Sequence, residues 1–542
     1  MDNVLVLITA LMVSMAIIPV MIKFAPRLGM VDLPDARKVH AVPVPRVGGV
    51  GVFLGAIIAL LIFLPMDKVL LSYLSGAVVL FIFGVWDDSH ELGHYVKFIG
   101  QFAAAIAVVY GGELWVSAAP FLSQPLPGYI GKPFTIIAIV GVINAINHSD
   151  GLDGLAGGES LLSLGCIAYL AATAGSLTLV ITVCAVIGGV FGFLRFNTHP
   201  ARVFMGDSGS QFLGFSLSVF VIWLTQRVNP GLSMALPMLI LGLPIIDIIA
   251  VFIQRIYGGM NWFRATKNHI HHRLLDRGFD HHEAVLIIYS VHGFLVLSAI
   301  FLSYESDWLV AGIYLGVCMM VFAALIFGER NGWRIERSAR TAGLLTVRNS
   351  LRSTAWLVNV PKLFVKISIP IYFIFGGMLI EEVPQGFIGI LLVIASTLAV
   401  LFVAKNTLIY RYLLRFSIYA AAAIWVYLSS NYYGPAGQLS AIFGVAYFGL
   451  LLVSIALVMR FSGETEFRAT TMDFLMVVMI VAASVLSRWV WNAYDLGRLI
   501  VEVAILFYGC ELILSRESVR WSGVLSFSVM AALGLVGQRL LM

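Results

Sequence analysis

The sequence predicts an all-α, polytopic transmembrane helical bundle: a core of about eleven helices followed by about seven more. Two observations carry that prediction. Of the 542 residues 60% are hydrophobic and only 12% charged, about half the charge of a soluble domain, and the mean hydropathy is +0.95. Apolar runs of membrane-crossing length also recur from one end of the chain to the other, each meeting the need for roughly 20 apolar residues per span. The first run has no basic stretch before it and no small-residue cleavage site, so it reads as a span rather than a secretory signal.

Taken in order, helices are expected near 3–22, 47–65, 69–86, 98–112, 133–148, 158–174, 177–194, 211–227, 232–253, 284–302 and 306–328. A second series is expected near 363–380, 385–404, 411–427, 437–459, 471–487, 499–514 and 524–541. With the first terminus outside, the inner loops collect the basic residues: Lys23, Arg27, Arg37, Lys38 and Arg46; then Arg255, Arg264, Lys267, Arg273 and Arg277; then a crowd from Arg330 to Lys366. That asymmetry is the positive-inside pattern. Residues 1–330 form the motif-rich core, 331–360 a basic linker or interfacial segment facing anionic lipid, and 361–542 an apolar region without motifs. Cys166, Cys184, Cys318 and Cys510 are scattered in or beside apolar runs and suggest no disulfide or metal framework. A net charge of +5 belongs to the inner loops rather than to a nucleic-acid partner.

On this topology every polar cluster falls on the cytoplasmic side. Asp87 and Asp88 close the third helix in "GVWDDSHELG", and neighbours in sequence diverge on a helix, so one carboxylate can meet a cation and the other a substrate. Asn144, Asn147, Asp150 and Asp153 punctuate "NAINHSDGLDGLAGG". The amides suit a base or sugar, the carboxylates a metal or proton, and the glycines close backbone approach. Asp207 lies between glycines in "RVFMGDSGSQFLG", before a helix whose free N–H groups are candidate receivers of phosphate oxygens; it is not a Walker loop. "NHIHHRLLDRG" places His269, His271, His272 and Arg273 together without cysteine, which favours contact with a diphosphate over a soft metal. Lys38, His40, Arg46, Gly48 and Gly49 make a phosphate-loop candidate in "DLPDARKVHAVPVPRVGG". Carboxylates suited to Mg²⁺ and cations suited to a polyanion, together at a membrane surface, point to phosphoryl transfer between a soluble and a lipid reactant.

Over residues 1–330 these ordered motifs resemble the polyprenyl-phosphate N-acetylhexosamine-1-phosphate transferases, in the bacterial undecaprenyl-phosphate GlcNAc-1-phosphate branch of glycosyltransferase family 4; the first membrane enzyme of peptidoglycan synthesis is a more distant relative. The resemblance implies transfer of N-acetylhexosamine 1-phosphate from a UDP-sugar to undecaprenyl phosphate with release of UMP, at the cytoplasmic face of the bacterial inner membrane, with Mg²⁺ (or Mn²⁺ in its place) and a homodimeric assembly. It implies that Asp207 ligates the metal with help from Asp88, that Asp87 and Asp88 are catalytic, and that Asn144, Asn147, Asp150 and Asp153 face the nucleotide. His269, His271, His272 and Arg273 would meet the diphosphate or sugar. The chain departs from the branch at Thr266, where an acidic residue often stands, and in the region after about 330. A lipid-linked sugar transporter, or a transferase fused to one, is the alternative, although transport sites lie nearer the bilayer midplane.

Overall fold

The computed structural model describes residues 2–34, 42–259, 268–335, 356–380, 383–403, 408–431, 437–461, 496–514 and 519–540. Among them, eleven helices are long and apolar enough to cross a membrane, and the architecture is an all-α multi-pass bundle with one small two-stranded pairing. The described residues form two compact units, one up to Ile335 and one after it. Lys38 and His40 lie outside the described residues, as do Thr266 and the helix expected near 471–487.

The first unit comprises α1 (Asp2–Phe24), β1 (Val31–Asp32), β2 (Val44–Pro45), α2 (Gly48–Phe63), α3 (Lys68–His90), α4 (His94–Ile106), α5 (Gly128–Ser149), α6 (Leu155–Thr173), α7 (Leu177–Asn197), α8 (Asp207–Trp223), α9 (Leu236–Ile240), α10 (Gly242–Tyr257), α11 (Ile270–Asp276), α12 (His281–Phe301) and α13 (Asp307–Arg330). Both α4 and α8 end in a wider π turn, Ala107–Gly111 and Leu224–Val228. The central post is α8, which packs against α3, α5, α2 and α6 and is buried from Ser208 to Trp223. Around it α1, α2 and α7 meet through small residues, the way helices associate where lipid supplies no hydrophobic drive. A side chain on Gly189 would come within 2.6 Å of the Val52 carbonyl oxygen, and one on Gly55 within 2.6 Å of that of Ala10; Ser14 Oγ donates to the Gly189 carbonyl at 2.9 Å.

The single helix expected over 232–253 is instead two, α9 and α10, broken at Leu241. Pro244 is the cause: it has no N–H for the carbonyl of Ile240, four residues back. That carbonyl is satisfied from elsewhere, by Ser163 Oγ on α6 at 2.6 Å. The break lets α10 reach the site at its own angle. The short helix α11, carrying the histidines, was not anticipated.

In the second unit, taken by itself, helix Trp356–Leu379 packs with Val519–Leu540 and Gly437–Phe461, while Leu408–Asn431 packs with Leu496–Leu514 and Gln385–Val403. Trp425 is completely buried. Arg415 Nε meets Glu511 Oε2 at 3.0 Å, and Tyr419 donates to the same carboxylate, so these two charges are paired rather than left to face lipid.

The tightness of the α2–α7 contact predicts that Gly189→Val, which drives two methyls toward the Val52 backbone, destabilises the detergent-solubilised protein by about 1–3 kcal/mol, read as an earlier thermal unfolding transition.

Candidate active site

The acidic motifs converge at the N-terminus of α8. Asp207 is its first residue, and the two leading N–H groups of the helix, on Asp207 and Ser208, are accepted by Asp88 Oδ1 and Oδ2 at 2.7 and 3.1 Å. A carboxylate from α3 thus caps α8, satisfying orphan donors and complementing the helix dipole. Two glycines make the approach possible. Gly206 adopts a left-handed φ of 73°, and a side chain there would come within 2.6 Å of the Asp88 carboxylate; one on Gly84 would come within 2.4 Å of Ser208 Cα. The N–H groups expected to be open to phosphate are therefore occupied by Asp88.

Asp87 turns the other way. Its Oδ1 accepts from Leu92 N at 2.6 Å, while Oδ2 meets Lys97 Nζ at 2.7 Å. The same ammonium lies 2.8 Å from Asp207 Oδ2, so one cation bridges two carboxylates from different helices. Burial works against the charge of Lys97, but Asp207 and Asp87 hold its pKa above the ordinary value. Asn147 Nδ2 donates to Asp207 Oδ1 at 3.1 Å and to Ser210 Oγ at 2.8 Å. A line of amides completes the shell: Asn144 donates to Gln101 at 2.8 Å, Gln101 to Gln211 at 3.3 Å, and Gln211 to Asp207 Oδ2 at 3.0 Å. Hard oxygen donors placed around a cation position are the donor set Mg²⁺ takes, so these residues fit the ion that the sequence motifs imply.

Lys97, Gln101 and Gln211 were not identified from sequence. Lys97 and Gln101 are four apart in "HYVKFIGQ", hence on one face of α4, and polar residues facing inward at a membrane helix are the signal that would have found them.

The loop between α5 and α6 supplies Asp150 and Asp153. Burial and the nearby charges of Asp207 and Asp153 push Asp150 up to about 7. Burial opposes ionisation of Asp153 too, but a 2.6 Å hydrogen bond with His199 Nδ1 and the Ala201 N–H at 3.0 Å hold it below the ordinary carboxylate value. Among the described residues, Asp153, His199 and His281 form a candidate metal-binding group, with one donor atom from each lying within 4.8 Å of the others.

The histidine segment docks on this loop from outside. Asp247, another residue sequence reading passed over, accepts from Ile270 N at 2.9 Å and pairs with His269 Nδ1 at 2.8 Å. His269 stacks on His148 at 5.3 Å between centroids, and His271 lies so close to Gly151 that a side chain there would be 2.3 Å from Nε2. Burial, then neighbouring histidines, drive the His271 pKa well below its ordinary value, so its imidazole is neutral. His272 packs beside it at 4.2 Å between centroids. Arg273 instead turns to Glu329, 2.8 Å from Oε1, an oxygen it shares with Arg277 at 3.1 Å.

The early loop reaches the same place. Gly48 N and Gly49 N donate to the carbonyls of Phe204 and Met205 at 2.9 and 2.7 Å, clasping the segment before α8, and Gly49 faces Gly209 with no room for a Cβ. Arg46 pairs with Asp32 and stands 3.6 Å from Glu91.

The raised Asp150 value has a definite sign. The unfolded carboxyl ionises near 3.8 and the folded one near 7, so the folded state binds more protons between these values and loses stability as pH rises through that window. Asp150→Asn removes the penalty. Its thermal transition should exceed that of the wild type most at pH 8, less at pH 5, and least at pH 3.8 or below; an equal gap at all three would refute the assignment.

The sequence profile described as glycosyl transferase family 4 matches residues 70–225, the stretch from α3 through α8 that carries Asp87, Asp88, Lys97, Asn147 and Asp207. A protein of Bacillus subtilis (strain 168) described as a probable undecaprenyl-phosphate N-acetylglucosaminyl 1-phosphate transferase is 35% identical over 322 residues, 59% of this chain and 89% of that protein. The undecaprenyl-phosphate alpha-N-acetylglucosaminyl 1-phosphate transferases of Yersinia pestis and Escherichia coli (strain K12) are 29% and 27% identical, over 61% and 58% of this chain and 92% and 88% of their own. With its buried acidic centre and its near-full-length match to the Bacillus protein, the chain belongs to glycosyl transferase family 4, among the undecaprenyl-phosphate N-acetylglucosaminyl 1-phosphate transferases.

Proposed function

We propose that this protein transfers N-acetylhexosamine 1-phosphate, with GlcNAc as the first candidate sugar, from a UDP-sugar to undecaprenyl phosphate, releasing UMP at the cytoplasmic face of a bacterial inner membrane. The observation that carries the proposal is the cation bridge of Lys97 between Asp87 and Asp207, beside Asn147. It is a site built to manage phosphate charge, and the family relationship supplies the substrates. The eleven-plus-seven arrangement of spans is part of the same reading, as are the basic inner loops.

Asp207 and Asp87 are the residues that would hold Mg²⁺, with Mn²⁺ as a substitute, and Asp88 fixes the position of Asp207. The ion would neutralise charge on the diphosphate and make UMP a better leaving group. Lys97 keeps two like charges adjacent and presents an ammonium to incoming phosphate oxygens. Asp87, held by Leu92 N and Lys97, orients the lipid phosphate, and the reaction is direct attack rather than passage through an aspartyl-phosphate intermediate. In that step an oxygen of undecaprenyl phosphate forms a bond to the phosphorus bearing the sugar, and the bond from that phosphorus to UMP breaks, its electron pair leaving with UMP. Asn144, Asn147, Asp150 and Asp153 face the nucleotide. His269, His271 and His272 shape the diphosphate side as hydrogen-bonding groups, while Arg46, Gly48 and Gly49 border the lipid phosphate; Lys38 and His40 belong to the same sequence motif.

The test is transfer of sugar label from UDP-GlcNAc to undecaprenyl phosphate by detergent-purified protein, with Mg²⁺ and with chelator. Labelled lipid should form only with the metal. Asp207→Asn and Lys97→Met should each lower the rate by about 10²-fold or more, as loss of a group facing developing charge does. Folded wild type that makes no lipid product from any of a panel of UDP-N-acetylhexosamines would overturn the proposal.

A further inference from the structure

The histidines around Asp153 have a bonding pattern that the transferase reaction leaves unexplained. His281 Nε2 lies 3.2 Å from the Asp153 carbonyl oxygen. That oxygen only accepts, so Nε2 carries the proton and Nδ1 is left as a bare lone pair. Nδ1 is buried and has no hydrogen-bond partner. On His199 the nitrogen nearest the site is Nδ1, which meets the Asp153 carboxylate at 2.6 Å, so an ion shared by these two groups would take the place of that hydrogen bond. The two rings stack at 4.1 Å between centroids, 20° from parallel. His281, with one N–H anchored on a backbone carbonyl and its other nitrogen bare, has the arrangement that supports a metal ligand.

We propose that Asp153, His199 and His281 form a transition-metal site of the Zn²⁺ class, separate from the oxygen-lined position between Asp87 and Asp207. The donor set decides the class. Two imidazoles and one carboxylate suit zinc and its neighbours, whereas Mg²⁺ takes oxygens and retains its waters. Three protein ligands leave a fourth position for water, the pattern of an open tetrahedral site. One candidate donor atom from each residue lies within 4.8 Å of the others; bonds of about 2.0–2.1 Å place tetrahedral ligands ~3.4 Å apart, an adjustment that side-chain rotation supplies. The ligands come from three segments distant in sequence: the α5–α6 loop, the residues after α7 and the first turn of α12. An ion there would tie the loop bearing Asp150 and Asp153 to α12, and its occupancy would be felt by whatever that loop binds.

The experiment uses full-length protein carrying no polyhistidine tag, since the chain has 11 histidines of its own. After equilibrium dialysis against micromolar Zn²⁺ with millimolar Mg²⁺, bound zinc is measured by elemental analysis, and Co²⁺ is substituted to read its ligand-field bands. About one zinc per chain is expected, not displaced by the Mg²⁺, together with visible Co²⁺ bands of tetrahedral intensity. His199→Ala and His281→Ala should each lower zinc affinity by at least tenfold and abolish those bands, while His271→Ala leaves both unchanged. Each variant is first checked for a monodisperse elution profile, and His199→Gln and His281→Gln replace any that fails. Zinc absent from the wild type, retained by both His199 and His281 variants, or lost instead with His271→Ala would overturn the proposal.

Discussion

The structure depends on how the buried end of α8 is satisfied. A helix leaves its first N–H groups without partners, and where the helix start is packed against a neighbour, protein groups must supply them. Asp88 takes the first two from a neighbouring helix, which is possible only because Gly84 and Gly206 let the two backbones come together. The consequence is chemical. Once Asp88 has fixed the helix start, Asp207 is held where Lys97, Asn147 and Gln211 reach it. The constraint that closes the fold also positions the carboxylate on which the proposed reaction turns.

That arrangement concentrates negative charge where apolar surroundings penalise it most. Asp87, Asp88, Asp150 and Asp207 come from two helices and a loop, and no pair of them would remain close without compensation. Lys97 compensates two, backbone N–H groups a third, and Asp150 does so by taking up a proton more readily. One ammonium and several amides hold together the site that we propose takes a divalent cation and a polyanion. Stability is spent there on function, a common pattern in active sites.

Much of this was legible in the sequence, and the exceptions have physical reasons. The acidic motifs declare themselves because charge is rare in such a chain and each cluster falls at a helix end. Lys97 is concealed by the positive-inside pattern: a lysine at a helix start reads as an interfacial cation, and only its distances to Asp87 and Asp207 identify it as a counter-charge. Asp247 is hidden by the apolar run around it. The break at Leu241 could be read from Pro244, but the partner that makes it tolerable, Ser163, is 77 residues away from the carbonyl it satisfies. Gly48 and Gly49 were visible as members of a phosphate-loop candidate. That their N–H groups close onto residues 204 and 205 required the fold.

The histidine motif shows how a sequence signal can keep its place yet acquire a different physical meaning. Four basic residues among five suggest a cationic patch, but Asp247 anchors His269, burial keeps His271 neutral, and Arg273 turns to Glu329. What the segment presents to the α5–α6 loop is then mostly shape and oriented imidazole nitrogens, pressed onto Gly151 where no larger residue fits. Discrimination among donor sugars by such a surface would act through steric fit and hydrogen bonding more than through charge. Charge stays with Lys97 and the acidic centre, one loop away, where phosphate chemistry requires it.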